Sequence, residues 1–153
     1  MKPMKPLAFA AYTVLAFSFL VISFGSESAL GNENIKKLRV SIEIFSGRPN
    51  PTFEITDAMA IDEFREKLSN LPPAEITDEE KQQFSRLGYR GILINNAAGI
   101  EGIPENVQIL NGKVKVYGGK LEEIQFLDDT MGLESNYLDL ARQNGLTWPE
   151  ETK

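Results

Sequence analysis

The chain has 153 residues, enough for one folded domain and a short additional segment. It contains no histidine and no cysteine, which excludes nucleophilic sites that need an imidazole base and any thiol chemistry. The usual zinc, copper and haem sites also depend on these ligands, so we expect no metal and no cofactor. The formal net charge is −6 with no basic run, so nucleic acid is a poor candidate partner.

The first 31 residues have the composition of an export signal. Lys2 and Lys5 precede an uncharged apolar run over residues 7–24, and small and polar residues follow at 25–31. This order is that of a secretory signal peptide. At about 1.5 Å per residue, the run is also just long enough to cross a thin membrane, so an uncleaved anchor is the alternative. Either way we expect the rest of the chain outside the cytoplasm, periplasmic or secreted, with membrane contact only through residues 7–24 if they are uncleaved.

The remaining residues are predicted to form one acidic domain. Residues 32–37 have the character of a polar linker, residues 38–148 of a single globular domain and residues 149–153 of a tail. Residues 1–31 hold two lysines and one glutamate, so without them the formal net charge is −7. The chain has neither disulfides nor an acceptor Asn-x-Ser/Thr triplet, which favours a bacterial envelope protein over a eukaryotic secreted one.

The first half of the domain alternates between strand and helix patterns. Apolar residues at every second position over 38–45 predict a half-buried strand. The segment 46–51 ends it, because two prolines and a glycine do not continue a ladder. A short strand over 52–55 comes next, and then a helix capped by Thr56 or Asp57 whose apolar face ends at two prolines. A capping box over 77–80 opens a second short helix.

The second half contains a hairpin with a defined register. Residues 107–110 and 113–116 flank Asn111-Gly112, the preferred pair for a two-residue hairpin turn. Pairing across this turn places Ile109 opposite Val114, Val107 opposite Val116 and Gln108 opposite Lys115. Further strands are predicted over 87–95 and 123–127, and a C-terminal helix carries Leu133, Tyr137, Leu140 and Ala141 on one face. Gly145 suits the C′ position after this helix, with Leu146 placed for the hydrophobic cap contact.

These elements predict an α+β fold: a small, mainly antiparallel sheet of four or five strands with two or three helices packed on one face. The strand order does not follow from the sequence.

The segment between the first two strands is the main candidate binding site. Its prolines restrict φ, its glycine permits a sharp turn, and its arginine carries five fixed donors suited to a carboxylate or phosphate. A stiff loop that presents one arginine fits a recognition element. The alternative is that Arg48 folds back on Glu43, Glu54 or a carbonyl and only braces the chain. The candidate binding residues are Ser46, Gly47, Arg48, Pro49, Asn50 and Pro51, with Arg90 as a weaker candidate that is more typical of a surface residue.

Carboxylates are the remaining candidates for catalysis, although none stands in a distinctive motif. A pair with different pKa values can serve as acid and base. Asp128, Asp129, Thr130 and Glu134 offer oxygen ligands for calcium but lack EF-hand spacing, and a turn before a helix N-terminus explains them better. The acidic residues considered as catalytic candidates are Glu43, Glu54, Asp57, Asp62, Glu122, Glu123, Asp128 and Asp129.

Three short motifs carry a resemblance. Residues 45–51 (Phe-Ser-Gly-Arg-Pro-Asn-Pro), residues 87–91 (Leu-Gly-Tyr-Arg-Gly) and residues 116–119 (Val-Tyr-Gly-Gly) resemble a group of uncharacterised, often exported, bacterial proteins that share the Ser-Gly-Arg-Pro-Asn-Pro stretch. The likeness covers roughly residues 40–145. It implies one domain and draws attention to Arg48 and Arg90, but it supplies no mechanism.

The function predicted from these observations is a non-catalytic binding or interaction module of the bacterial envelope, with an envelope ligand or protein as its partner. A small carboxylate-dependent hydrolase acting on an envelope polymer is one alternative. A structural protein tethered to the membrane by residues 7–24 is the other.

Overall fold

A computed structural model describes residues 36–121 and 123–149, without the side chain of Phe45. The predicted signal or anchor segment lies outside the described residues. In chain order the elements are β1 (Leu38–Phe45), β2 (Thr52–Ile55), α1 (Ala58–Ser69), α2 (Asp78–Gln83), β3 (Gly88–Asn95), β4 (Asn106–Leu110), β5 (Lys113–Tyr117), β6 (Gln125–Asp128) and α3 (Leu133–Gln143).

The strands form one antiparallel sheet in the order β2-β1-β3-β4-β5-β6. With three helices this confirms the α+β class. The sheet has six strands, one more than the upper number expected. The short β2 lies at the residues predicted for it and is a full member of the sheet, because all four of its residues pair with β1.

The hairpin of β4 and β5 has the predicted register. Ile109 pairs with Val114, Val107 with Val116 and Gln108 with Lys115. Asn111 and Gly112 both have positive φ, 50° and 76°, as a turn of this type requires. The turn chemistry and the apolar alternation therefore specify the same pairing.

One face of the sheet forms the core. Its apolar side chains, at most 3% exposed, come from the four strands β1, β3, β4 and β5, and helices α1 and α3 cover them. Phe64 of α1 meets Tyr137 of α3 edge to face, with ring centroids 5.7 Å apart. Burying each such side chain contributes about 1.5–3 kcal/mol of transfer free energy. The sheet residues of this core are Leu38, Val40, Ile92, Ile94, Val107, Ile109, Val114 and Val116.

The other face of the sheet is only partly covered. Helix α2 has no buried residue of its own, but Phe84 at its C-cap is 5% exposed. Phe84 packs beside Phe126 of β6, and Gln108 donates to its carbonyl oxygen at 3.4 Å. Two helices therefore pack on one face, and the end of the third contacts the opposite face.

The helix ends follow the predicted chemistry. The Asp57 carboxylate caps α1 by accepting from the Ala60 N–H, and Thr77 with Glu80 forms the predicted capping box. Beyond α3, Gly145 and Leu146 donate to the carbonyls of Arg142 and Ala141, the bonding pattern of a Schellman motif.

All described residues belong to one compact unit, residues 32–153. Within them, no helix combines the length and the apolar character that a membrane crossing needs.

Candidate functional site

Four connections emerge at one end of the sheet, which we call the loop end. They are residues 46–51 between β1 and β2, residues 84–87 before β3, the turn at 111–112, and residues 129–132 after β6. The antiparallel order brings them together, because every second strand boundary falls at the same end of the sheet.

The loop at 46–51 is fixed at its base by β1. The Ile44 N–H donates to Oδ1 of Asn50 at 2.9 Å, and the Ile42 N–H donates to the Pro51 carbonyl at 2.9 Å. Ser46 turns back on the strand, with its N–H donating to the Ile44 carbonyl at 2.7 Å. Asn50 thus satisfies a backbone donor that would otherwise lack a partner. The loop is a short closed turn with a tied base.

Arg48 projects from this loop into solvent. Among the described residues it has no hydrogen-bond or ion-pair partner. The two carboxylates that could have held it are bound elsewhere, Glu54 by Lys37 at 3.0 Å and Glu43 by Arg90 at 3.2 Å. The folded-back arrangement considered from the sequence is therefore not the one present, and the guanidinium keeps its donors available.

Arg90, the weaker candidate, lies in an ion pair on the partly covered face of the sheet. Its side chain is 23% exposed and that of Glu43 is 13% exposed. The Ser41 hydroxyl donates to the other carboxylate oxygen at 2.9 Å. The β1–β3 register shifts between Ile42 and Ile44, and this irregularity places Arg90 beside Glu43. The ion pair links β1 to β3, so it helps to stabilise the sheet.

The same face carries a second small group of polar side chains. The Lys115 ammonium lies over the Tyr117 ring, 4.8 Å from its centroid. Burial lowers the pKa of Lys115. Burial also raises the pKa of Tyr117, and the charge of Glu43 adds to that rise. These groups sit on the sheet surface, away from the 46–51 loop.

The two longer motifs of the resemblance are adjacent in space. Phe45 pairs with Gly88 and Ile44 pairs with Tyr89, so residues 45–51 and 87–91 continue from neighbouring strand positions. The Tyr89 hydroxyl donates to Glu134 of α3 at 2.8 Å and fastens this strand end to the helix. The third motif lies at the opposite end of β5, where Tyr117 pairs with Asn106.

The loop end also holds two residues that the sequence did not single out. Leu87 is 74% exposed, and Arg86 is exposed with no hydrogen-bond or ion-pair partner in the part of the chain that the structure describes. A depression of about 370 Å³ is lined by Arg86, Leu87, Gly88, Tyr89, Leu110 and Asn111. Leu87 was predicted to begin a strand, and no local pattern distinguishes an exposed strand-end leucine from a buried one.

The candidate carboxylates serve mainly as structural partners. Glu43, Glu54 and Asp62 form ion pairs, and Asp57 caps a helix. Glu123 is exposed, and Glu122 lies outside the described residues. Three depressions in the described part of the chain are lined by neither Arg48 nor any of these carboxylates.

The acidic residues at 128–129 have hydrogen-bond partners within the fold. Asp128 receives a hydrogen bond from Lys113 at 2.7 Å, and this bond raises the pKa of the lysine. The two carboxylate oxygens of Asp129 accept from the backbone N–H groups of Leu133 and Glu134, at the N-terminus of α3. Among the described residues no group of three acidic side chains is arranged to hold a metal ion.

A larger groove, about 800 Å³, lies at the other end of the sheet between residues 96–105 and 118–121. Asn96, 4% exposed, organises its wall. The Asn96 amide donates to the carbonyls of Ile100 and Ile103 and accepts from the Ile100 N–H. These bonds account for a buried asparagine without a ligand.

The chain matches no family model, no curated protein and no solved structure. The site is therefore interpreted from its own geometry.

Proposed function

We propose that this protein is a non-catalytic binding module of the bacterial envelope, and that the loop 46–51 is its recognition element. Arg48 would contact an anionic group of the partner, a carboxylate or a phosphate. The planar guanidinium can bind either group through two parallel hydrogen bonds.

The proposal rests on one observation: the loop 46–51 is held in place at its base, but its arginine is not used by the fold. The loop base is tied to β1 by Asn50 and Pro51, while Arg48 is exposed and unpaired within the described residues. A group held on a rigid support loses little conformational entropy on binding, which favours recognition. The chain thus presents, on a loop tied at its base, a charge that its own fold does not use.

The two alternatives have less support. A hydrolase would need carboxylates gathered near a bound substrate, and most of the described candidates are engaged in ion pairs or helix caps. A membrane tether would depend on residues 7–24, which lie outside the described residues.

Site-specific photocrosslinking in cells of the source organism tests the proposal. A photoreactive phenylalanine replaces Ser46, which is exposed and whose hydroxyl has no hydrogen-bond partner among the described residues. We expect one discrete adduct on irradiation. The same group at exposed Glu66 on α1 is the matched control and should give none.

A second variant tests whether the adduct at position 46 depends on Arg48. Arg48→Ala in the Ser46 background removes the proposed contact and should reduce the adduct by up to about fivefold, since losing an exposed ion pair weakens binding by up to about 1 kcal/mol. An adduct that survives Arg48→Ala unchanged, or equal adducts at positions 46 and 66, would show that the loop is not the recognition element.

A further inference from the structure

We propose that the loop end recognises an acidic peptide segment by a two-point contact, with Arg48 and Arg86 each binding one carboxylate and Leu87 contacting an apolar side chain between them. This inference deepens the proposed function and rests on it. It assigns a ligand class and adds two residues to the surface.

The two arginines belong to loops that leave the sheet side by side. Phe45 pairs with Gly88, so Arg48 lies three residues beyond one member of a pair and Arg86 two residues before the other. Paired Cα atoms are about 5 Å apart and each residue extends the chain by at most about 3.6 Å, so the two arginine Cα atoms are within roughly 23 Å. A short extended peptide spans this distance.

Arg48 and Arg86 are not paired with the acids of the loop end. Asp128 is paired with Lys113. Asp129 accepts from two backbone N–H groups, and Glu134 accepts from the Tyr89 hydroxyl. Arg48 and Arg86 have no hydrogen-bond or ion-pair partner among the described residues, so this end offers two unpaired guanidinium groups to an acidic ligand.

Leu87 decides between a peptide and a purely charged polymer. Single exposed apolar residues are common on protein surfaces, and alone this leucine would mean little. It is 74% exposed, however, directly beside Arg86 and at the rim of the 370 Å³ depression. A ligand with an apolar side chain between two acids would cover the leucine, whereas a phosphate or uronate polymer has no such group.

Fluorescence anisotropy with the full-length chain in a non-ionic detergent tests the inference. The probe is a fluorescein-labelled peptide, Gly-Glu-Gly-Leu-Gly-Glu-Gly, whose acids are about 14 Å apart when extended. We expect Arg48→Ala and Arg86→Ala each to raise Kd about fivefold, as expected for loss of one exposed ion pair. Replacing one glutamate of the probe by glutamine should weaken binding by a similar factor.

Two controls separate specific contacts from general electrostatics. Arg39→Ala removes the same charge from an exposed position at the other end of β1 and should leave Kd unchanged. Leu87→Ser should weaken binding of the leucine probe but not of a probe with serine in its place. An equal effect of Arg39→Ala and Arg86→Ala would overturn the proposal.

The remaining outcomes distinguish this inference from the function it rests on. If Arg48→Ala weakens binding while Arg86→Ala and Leu87→Ser do not, the two-point contact is wrong and the loop 46–51 remains the recognition element. If the probe does not bind, or polyphosphate displaces it at a lower concentration than the unlabelled peptide, the acidic-peptide class is wrong. The crosslink at position 46 then decides separately whether the loop recognises a partner.

Discussion

The arginines at 48 and 90 show how the same side chain acquires different roles from its neighbours. Arg90 stands opposite a register shift that brings Glu43 within 3.2 Å, and the pair is largely shielded from solvent. Arg48 leaves the sheet on a turn whose base is held by Asn50, so the turn does not need the arginine. The stability of the domain should therefore depend on Arg90 and be nearly independent of Arg48.

Thermal unfolding of residues 32–153 checks this difference. We expect Arg48→Ala to change Tm by less than about 2 °C, because an exposed, unpaired side chain contributes little to stability. Arg90→Ala leaves the carboxylate of Glu43 partly buried without its partner, which costs about 1–2 kcal/mol after allowance for its residual exposure. For a domain of this size that is a drop of roughly 4–10 °C. A drop above 8 °C for Arg48→Ala would instead make that residue a structural brace.

Gly91 is the backbone position at which we expect substitution to be least tolerated. Its φ is +84°, and a Cβ would lie 1.9 Å from the carbonyl oxygen of Ile109 on β4. A side chain there must separate two central strands, so Gly91→Ala should destabilise by about 3 kcal/mol or more, seen as a Tm drop of roughly 10 °C or more. The control is Gly47→Ala, with φ +74° but no atom within 4 Å, which should cost about 1 kcal/mol. Equal losses of stability for the two variants would show that the positive φ, and not the contact with Ile109, causes the loss.

At the scale of elements, local chemistry accounts for most of what the sequence predicted correctly. The hairpin at Asn111-Gly112, the caps at Asp57 and Thr77, and the C-terminal motif at Gly145 all depend on residues within a few positions of each other. The candidate loop was likewise located from Pro49 and its neighbours. Each of these features is determined by residues that lie within a short stretch of the sequence.

Features that depend on distant partners could not be read in this way. The ion pair of Arg90 joins residues 47 apart, and the close contact at Gly91 involves the backbone of another strand. The position of Arg86 and Leu87 at the same end of the sheet as the 46–51 loop follows from β1–β3 pairing, which alternation alone does not specify. The sequence alone therefore pointed to the loop 46–51. Arg86 and Leu87 could be added to the proposed surface only once the strand order was known.

Helix α2 should be the least stable of the three helices and sensitive to its cap. It has no buried residue, and its N-terminus is held by the Thr77 hydroxyl and the Glu80 carboxylate. Removing the cap with Thr77→Ala costs about 1 kcal/mol, so hydrogen-exchange protection of the Lys81 amide should fall about fivefold. Protection at Ile109 in the central strand β4 is the control and should not change. A parallel loss at both amides would mean that α2 unfolds only with the whole domain.

The capping box at the N-terminus of α2 should also make the stability of this helix depend on pH. The hydrogen bond from the Thr77 backbone lowers the pKa of Glu80 below its usual 4.5. A depressed carboxyl pKa stabilises the folded form above the unfolded-state value, and this is lost as the pH falls through the folded value. Protection factors in α2 should therefore decline as the pH falls below the usual carboxyl value of 4.5 and through the lower value of the folded form. Glu80→Gln should remove that decline, and a decline unaffected by Glu80→Gln would assign it to another group.

For the whole molecule, the sheet separates stability from the proposed recognition. Helices α1 and α3 and the apolar sheet face supply the core, while the loop end carries unpaired cations on short, tied connections. Substitutions at the loop end can then alter binding without disturbing folding. This separation is what allows the stability and binding experiments to give independent answers.

The proposed export of the whole chain can be tested at its N-terminus. The apolar run at 7–24 is followed by small residues that suit cleavage after Ser28 or Gly31, so we expect the exported protein to begin just after one of these positions. Intact mass and N-terminal sequencing of the protein from the envelope fraction would identify the cleavage site. Replacing both residues by phenylalanine removes the small side chains at the cleavage positions and should leave the longer chain in the membrane. If the unaltered protein already begins at Met1 in membranes, residues 7–24 act as an anchor, and the loop end recognises its partner from the membrane surface.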